Sequence, residues 1–269
     1  MQKPFISIST DFGPGSKGIG AMKAAILNVC PEAHIIDLCH ENAPCNISEG
    51  AYNLEASAWL PIGIHVCVID PEVGTTRKGI VIETNRGDFL VGPDNGVLLP
   101  ATRFLGGVKR AHQISNEMFF QKPVSPVFHG RDVFAPVTAH LANSAAIEEF
   151  GTQLNENELV KAPYEEAKAM GRKIEAQVIY ANRFGNISLN IMQKEMHKLF
   201  SIGEKIQLNF IKKKIFSTYA RTFGGVGIGK EAVIDDDFGR IEIALNQASF
   251  AKKHSIKQGQ KIVLAKTNK

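Results

Sequence analysis

Three segments of this chain end an apolar run in polar residues and glycine: Thr10-Asp11-Phe12-Gly13, Asp70-Pro71-Glu72-Val73-Gly74-Thr75 and Gly92-Pro93-Asp94-Asn95-Gly96. A fourth, Phe128-His129-Gly130-Arg131-Asp132, sets an imidazole just ahead of a helix-like stretch. Carboxylates, an amide and an imidazole are the groups of acid–base chemistry and of polar ligand recognition. Ligands of open α/β sheets gather outside the carboxyl ends of the strands, so the four segments are expected to converge on one crevice. Each also has a plain structural reading: Asp94-Asn95-Gly96 as a turn, Asp132 as a helix cap, His129 as packing.

The elements that must position these residues follow from hydrophobic periodicity. Phe5 to Thr10 reads as a strand, Ile19 to Cys30 as a helix stopped by Pro31, and His34 to Leu38 as a second strand. A helix is expected from about Ile47 to Trp59, and Ile64 to Ile69, apolar but for His65, reads as a strand buried on both faces and ending in Asp70. Gly79 to Glu83 and Phe89 to Val91 complete the strand set, and Asp132 to Asn143 reads as a helix with Asp132 near its N-cap. Beyond a polar stretch holding Pro163 and Gly171 the style changes to short strand-like runs: Ile174 to Tyr180, Asn186 to Ile191, Lys205 to Asn209, Ala232 to Ile234, Arg240 to Leu245 and Lys261 to Ala265. The expected fold is an α/β N-terminal domain with a central, mostly parallel sheet (residues 1–158), a linker (159–172) and a smaller C-terminal all-β barrel (173–269).

Composition narrows the function classes. Hydrophobic residues at 44% and charged residues at 22% are ordinary globular usage. A net charge of +4 asks for no nucleic-acid partner, and the basic run Lys212-Lys213-Lys214 reads as a solvated hairpin tip. Cys30, Cys39, Cys45 and Cys67 form no C-x-x-C pair, so free thiols and no metal are expected. The start, MQKPFISIST, shows neither a leader pattern nor a long apolar run, and a cytoplasmic protein without membrane contact is expected.

Two glycine motifs invite other readings. Gly13 to Gly18 matches the dinucleotide fingerprint, with Asp37 ending the next strand, and makes a dinucleotide-dependent oxidoreductase the alternative enzyme class. Asp11 in that turn would repel a pyrophosphate by about 4 kcal/mol at ~4 Å and an effective dielectric of ~20. A carboxylate there suits the two hydroxyls of a ribose. Gly224 to Lys230 fits a P-loop, but Glu231 stands where a magnesium-binding Ser or Thr is required, so an inter-strand loop is the better reading.

The sequence resembles the adenosine-forming S-adenosylmethionine hydrolases, relatives of the adenosyl fluorinase and chlorinase. The resemblance is carried by TDFG at Thr10, DPEVGTTR from Asp70 to Arg77, GPDNG at Gly92, FHGRDVFAP from Phe128 to Pro136, RFGN from Arg183 to Asn186 and GRIEIALN from Gly239 to Asn246. It implies a homotrimer whose active sites lie between the N-terminal domain of one subunit and the β-barrel of its neighbour. It further implies that Asp70, Arg77 and His129 activate a water that attacks the ribose C5′ of S-adenosylmethionine in line, releasing methionine and adenosine, without metal or other cofactor. The halogenases lack that trio. A sulfonium is already a good leaving group, so orienting the nucleophile is the chief task. The plain structural reading of Arg77 is an ion pair with Asp70. Substrate-binding positions implied by the same resemblance are Asp11 for the ribose diol, Phe184 and Asn186 for adenine, and Ser16, Asn95, Phe128, Asn182 and Glu242 in matching stretches. Phe184 could equally belong to the barrel core.

Three positions depart from the family pattern. Ser16 and Asn182 stand where aspartates are usual, near the expected ammonium of the methionine moiety, and each neutral replacement should lose about 1 kcal/mol. Glu72 replaces a glycine and is expected to raise the pKa of Asp70 by its charge. The expectation is the family reaction with poorer affinity for the amino-acid end, or action on a related adenosyl sulfonium; a sensor of adenosyl ligands without turnover is the third class.

Overall fold

The computed structural model describes residues 3–211 and 213–267; Lys212 of the basic run and the first two residues of the amino-terminal stretch lie outside the described residues. The chain divides between Pro163 and Tyr164 into two compact units. In the first, the elements run β1 (Phe5–Thr10), α1 (Lys17–Val29), β2 (His34–Cys39), α2 (Ile47–Glu55), β3 (Ile64–Val68), β4 (Gly79–Thr84), β5 (Phe89–Pro93), α3 (Leu99–Thr102), β6 (Val108–Ile114), α4 (Ala135–Ala142) and β7 (Gln153–Leu154). Seven strands form one sheet in the order β2-β1-β3-β5-β4-β6-β7. The β2-β1-β3-β5 half is parallel, and the other half is antiparallel because a tight hairpin joins β4 to β5. The sheet is therefore mixed.

The chain leaves β1 through α1 to reach β2 on one side, then returns through α2 to β3 on the other. Strand order thus reverses beside β1, which makes the carboxyl ends of β1 and β3 the ligand-binding crevice of such a sheet. Every residue of β3 is buried, since α4 covers one face of the strand and α2 the other. The run, apolar but for His65, predicts that double burial.

A buried polar cluster ties the opposite ends of these strands together. Ser7 Oγ lies 2.8 Å from His65 Nδ1, and His65 Nε2 lies 3.2 Å from Asp88 Oδ1, with all three residues fully buried. Arg86 donates to Asp88 through Nε (2.7 Å) and Nη2 (2.8 Å), and the Gly63 amide donates at 3.2 Å. His65 and these donors hold the Asp88 carboxyl well below the usual carboxylate range, against the opposing effect of burial. The order serine, imidazole, carboxylate is that of a nucleophile triad, but Ser7 is sealed from solvent, and the cluster clamps the amino ends of β3 and β5. A depressed native pKa contributes stability that is present above the unfolded value of about 3.9 and is lost as pH falls toward the folded value. Asp88→Asn is expected to lower the unfolding free energy by about 3–5 kcal/mol at neutral pH, with the gap to the parent narrowing below pH ~4. Urea unfolding across pH checks this; a gap under about 1 kcal/mol would contradict it.

The second unit contains β8 (Lys168–Met170), β9 (Lys173–Ala181), β10 (Ile187–Met192), α5 (Gln193–Leu199), β11 (Lys205–Phe210), β12 (Lys213–Tyr219), β13 (Glu231–Asp235), β14 (Arg240–Leu245), α6 (Phe250–His254) and β15 (Lys261–Lys266). Pairing runs β10-β14-β13-β12-β11-β15-β9 and closes through β9–β10, giving a seven-stranded barrel to which β8 adds a short edge. Inward residues alternate, as at Ile187, Leu189 and Ile191 or Ile206 and Leu208, and fill the interior. The glycine-rich stretch from Gly224 to Lys230 lies in the connection from β12 to β13, with no helix after it.

Candidate active site

Asp70 stands two residues past the end of β3, at the crevice edge of the sheet. Arg77, on the loop that follows, grips its carboxylate with both arms: Nε donates to Oδ1 at 3.0 Å and Nη2 to Oδ2 at 2.5 Å. Both side chains are about 95% buried, at 5% and 4% exposure. A second bond from Arg77 Nη2 reaches His129 Nδ1 at 3.3 Å. Arginine only donates, so Nδ1 is the acceptor and the neutral ring carries its hydrogen on Nε2. The guanidinium also lies 5.4 Å from the centre of the buried Phe134 ring, which fixes its plane.

The loop geometry that joins these three groups has a backbone cause. Gly74 adopts φ +77°, and a Cβ added there would lie 2.3 Å from the Pro126 carbonyl oxygen. Only glycine permits that approach, which sets the Asp70–Arg77 loop against the segment leading to His129. His129 itself caps a π-helical turn, Gly130–Phe134, that runs into α4. Such widened turns recur at functional sites. Asp132 is not the helix cap expected from the sequence: the helical turn already begins at Gly130. Its buried carboxylate instead reaches back to the Ser125 amide (2.8 Å) and pairs with Arg131.

Electrostatics divide the roles. Burial pushes the Asp70 carboxyl above its ordinary value, opposed by Arg77 and His129, so it is a better proton acceptor than an exposed carboxylate. The cause is not the one expected from the sequence. Glu72 is exposed, and what it brings to Asp70 is a backbone hydrogen bond, which acts in the lowering direction. Burial and the neighbouring Arg77 charge push the His129 pKa down, so the imidazole is neutral at pH 7.

The remaining residues of this unit fall around the crevice. The Asp11 carboxylate accepts from the Cys45 amide at 2.8 Å. Asn42 braces its loop, donating to the Thr10 carbonyl at 2.8 Å. Ser16 is the N-cap of α1, its Oγ accepting from Gly18 at 3.2 Å, and it lines a groove of about 600 Å³ together with Lys23, Asp37, His40 and Glu41. Two carboxylates facing that groove suit a pyrophosphate poorly. Asn95 turns both polar ends to backbone, donating to the Ile69 carbonyl (2.8 Å) and accepting from Val97 (3.2 Å), and so fixes the residue before Asp70. Phe128 packs edge-on against Phe12, centroids 5.9 Å apart.

The barrel gathers a second group. Asn182, Phe184 and Asn186 occupy the loop from β9 to β10, and Glu242 projects from β14. The Phe184 ring is 72% exposed, so it is not barrel core. Burial, reinforced by Asp236 and Asp237, pushes the Glu242 carboxyl up to about 7, against the lowering effect of its bond from Asn186.

Residues 6–151 match the SAM hydroxide adenosyltransferase N-terminal domain, and residues 176–263 match the C-terminal domain of the same family. The chain belongs to the SAM hydroxide adenosyltransferase family. Among its relatives, the (R)-S-adenosyl-L-methionine hydrolase of Salinispora tropica is 32% identical over 260 residues, covering 96% of this chain and 97% of that protein. The hydrolase of the same name from Methanocaldococcus jannaschii is 43% identical over 196 residues, 71% of this chain and 68% of its own. A fluorinase from Actinopolyspora mzabensis is 23% identical over 97% of this chain and 96% of its own. The crystal structure of an uncharacterized conserved protein from Thermotoga maritima superposes with a TM-score of 0.90 at 33% identity, over 97% of this chain and 100% of that one.

Within this SAM hydroxide adenosyltransferase, two supporting residues do not stand out as site residues in the sequence, even though Phe134 lies in the FHGRDVFAP stretch. Phe134 beneath Arg77 and Asn42 behind Asp11 sit among ordinary apolar and loop residues, and only their placement distinguishes them. No group of three His, Cys, Asp or Glu side chains among the described residues is arranged to hold a metal. No helix of the described residues is long and apolar enough to cross a membrane.

Proposed function

We propose that this family member hydrolyses S-adenosyl-L-methionine to adenosine and L-methionine, with Asp70, Arg77 and His129 delivering water to the ribose C5′. The observation that carries the assignment is the doubly bonded Arg77–Asp70 pair, in contact with His129, at the carboxyl edge of the sheet. Asp70, made more basic by burial, takes the water's proton. Arg77 commits three of its five N–H donors to Asp70 and His129, and the two on Nη1 remain to stabilise the hydroxide as it forms. Neutral His129 directs its Nε2 hydrogen to the water oxygen, which aims a lone pair at carbon. As C5′ accepts the oxygen, the C–S bond breaks and its electron pair leaves with methionine as a neutral thioether.

Recognition divides by chemistry. Asp11 accepts from the ribose diol, Phe184 offers its exposed face to the adenine, and Asn186 hydrogen-bonds the adenine edge. Phe128 supplies an apolar wall, while Asn95 acts through the backbone before Asp70. Ser16 stands near the amino-acid end, where it offers a neutral oxygen instead of a carboxylate. The working unit in this proposal is a homotrimer in the cytoplasm, and light scattering of the purified protein tests the trimer.

The decisive experiment separates the products of purified protein incubated with S-adenosyl-L-methionine. Adenosine and methionine in equal amounts, without added halide or metal, support the reading. Methylthioadenosine as product, or an intact substrate, would overturn it.

A further inference from the structure

The NRFGN loop is held by one carboxylate. Asn182 accepts on Oδ1 from the amides of Phe184 (3.1 Å) and Asn186 (3.0 Å), and its Nδ2 donates to Glu242 Oε2 at 3.3 Å. Asn186 Nδ2 donates to the other oxygen, Oε1, at 3.0 Å. Backbone bonds close the same loop, from Asn182 N to the Asn186 carbonyl (3.0 Å) and from Gly185 N to the Asn182 carbonyl (2.8 Å). Gly185 sits at φ +83°, where a Cβ would lie 1.9 Å from Ser249 Oγ, so the loop is also tied to the residue that caps α6. Asn182 is thus engaged at both ends of its amide, by the loop backbone and by Glu242. Asn186 is not: its Oδ1 has no hydrogen-bond partner among the described residues, and it is absent from the buried atoms that lack one, so it faces accessible space.

We infer that Glu242 is a positioning residue for purine recognition: by accepting from Asn182 and Asn186 at once, it holds the Asn186 amide with oxygen outward and so selects a 6-amino purine over a 6-oxo purine. The inference rests on the proposed adenosyl substrate. An amide side chain is nearly symmetric in shape, and either end can face a ligand unless its surroundings decide. A carboxylate decides, because it only accepts and therefore draws the NH₂ group to itself. The outward Oδ1 then meets the N–H donors of a 6-amino group, whereas the carbonyl of a 6-oxo purine would leave two acceptors face to face. Asparagine at 182 belongs to the same device. A carboxylate there would stand about 3.3 Å from Glu242 and repel it, whereas the amide donates.

Protonation of Glu242 removes an acceptor and supplies an O–H donor, which frees the Asn186 amide to turn. The charged groups that act on Glu242 are Asp236 and Asp237 from the β13–β14 connection, both of which favour protonation as pH falls toward about 7.

The test measures binding of adenosine and of inosine by calorimetry to the unaltered full-length protein and to Glu242→Gln. The unaltered protein is expected to prefer adenosine by about tenfold or more, and Glu242→Gln to bring the two affinities within about threefold. A variant that keeps the full adenosine preference would overturn the inference. Should Glu242→Gln fail to fold, the unaltered protein still decides: the adenosine preference is expected to shrink as pH is lowered from 8 to 6, and a constant preference would overturn the proposal. Cleavage of substrate with a preference untouched by the substitution removes this inference alone. Binding of neither nucleoside, with no cleavage, removes the substrate assignment and this inference with it.

Discussion

Asp70→Asn is expected to lower kcat by about three orders of magnitude while KM moves less than about threefold. Asparagine keeps the shape of the side chain but places an NH₂ group where one carboxylate oxygen accepts from Arg77, and it has no useful basicity toward a water proton. Loss of a positioned base removes about 10²–10⁴ in rate, and loss of alignment places this substitution toward the upper part of that range. His129 is affected as well, because the Asp70 charge is one of the two that raise its pKa; without it the imidazole becomes still harder to protonate. The variant leaves Arg77 as a buried, partly unpaired cation, at about 3–5 kcal/mol, so unfolding must be followed beside steady-state kinetics. A folded variant with kcat within about threefold of the parent contradicts the assignment of Asp70.

Arg77→Met is expected to lower kcat by about a hundredfold to a thousandfold, and by a route that pH reveals. Arg77 is the strongest opponent of the burial effect on Asp70. Without it the native carboxyl rises further and a larger share of it is protonated at a given pH, so activity should recover in part as pH is raised and the carboxyl ionises. Arg77→Lys separates charge from shape. A lysine supplies one compact cation but cannot make the two parallel bonds to Asp70 and the third to His129, and a loss of about tenfold or more is expected with no alkaline recovery. Rates for both variants measured from pH 6 to 9 check this; equal and flat profiles would contradict the role given to Arg77.

How far the sequence alone reaches can be judged from particular residues. The run from Ile64 to Ile69, apolar but for His65, points to a strand buried on both faces because its polar and apolar residues do not alternate, and Asp70 at its end follows from the same observation. β6 escapes detection since exposed Lys109, half-buried Arg110 and Gln113 and buried His112 are mixed with the buried Ala111 and Ile114, which blurs the alternation a half-buried strand normally shows. The π-helical turn at Gly130–Phe134 also leaves no trace, because its first residues read equally well as loop and cap; the sequence suggests Asp132 for a capping position that falls on His129, whose side chain makes no capping bond. The site was legible in its residue types and not in its wiring. Ser16, Asn95 and Asn182 have identities that suit a ligand, yet much of their hydrogen-bonding capacity goes to backbone amides and carbonyls, and partners of that kind carry no side-chain signature. Glu72 shows the same gap in electrostatics: adjacency in sequence suggested its charge would act on Asp70, whereas burial dominates and Glu72 itself points to solvent.

Following a single oxygen atom tests the water-delivery mechanism most directly. Turnover of S-adenosyl-L-methionine in water enriched in oxygen-18 should place one heavy oxygen on the 5′-hydroxyl of adenosine and none in methionine, in the parent protein and in whatever slow turnover Asp70→Asn retains. Adenosine without the label, or a labelled homoserine beside methylthioadenosine, would mean that water is not delivered to C5′ by Asp70, Arg77 and His129.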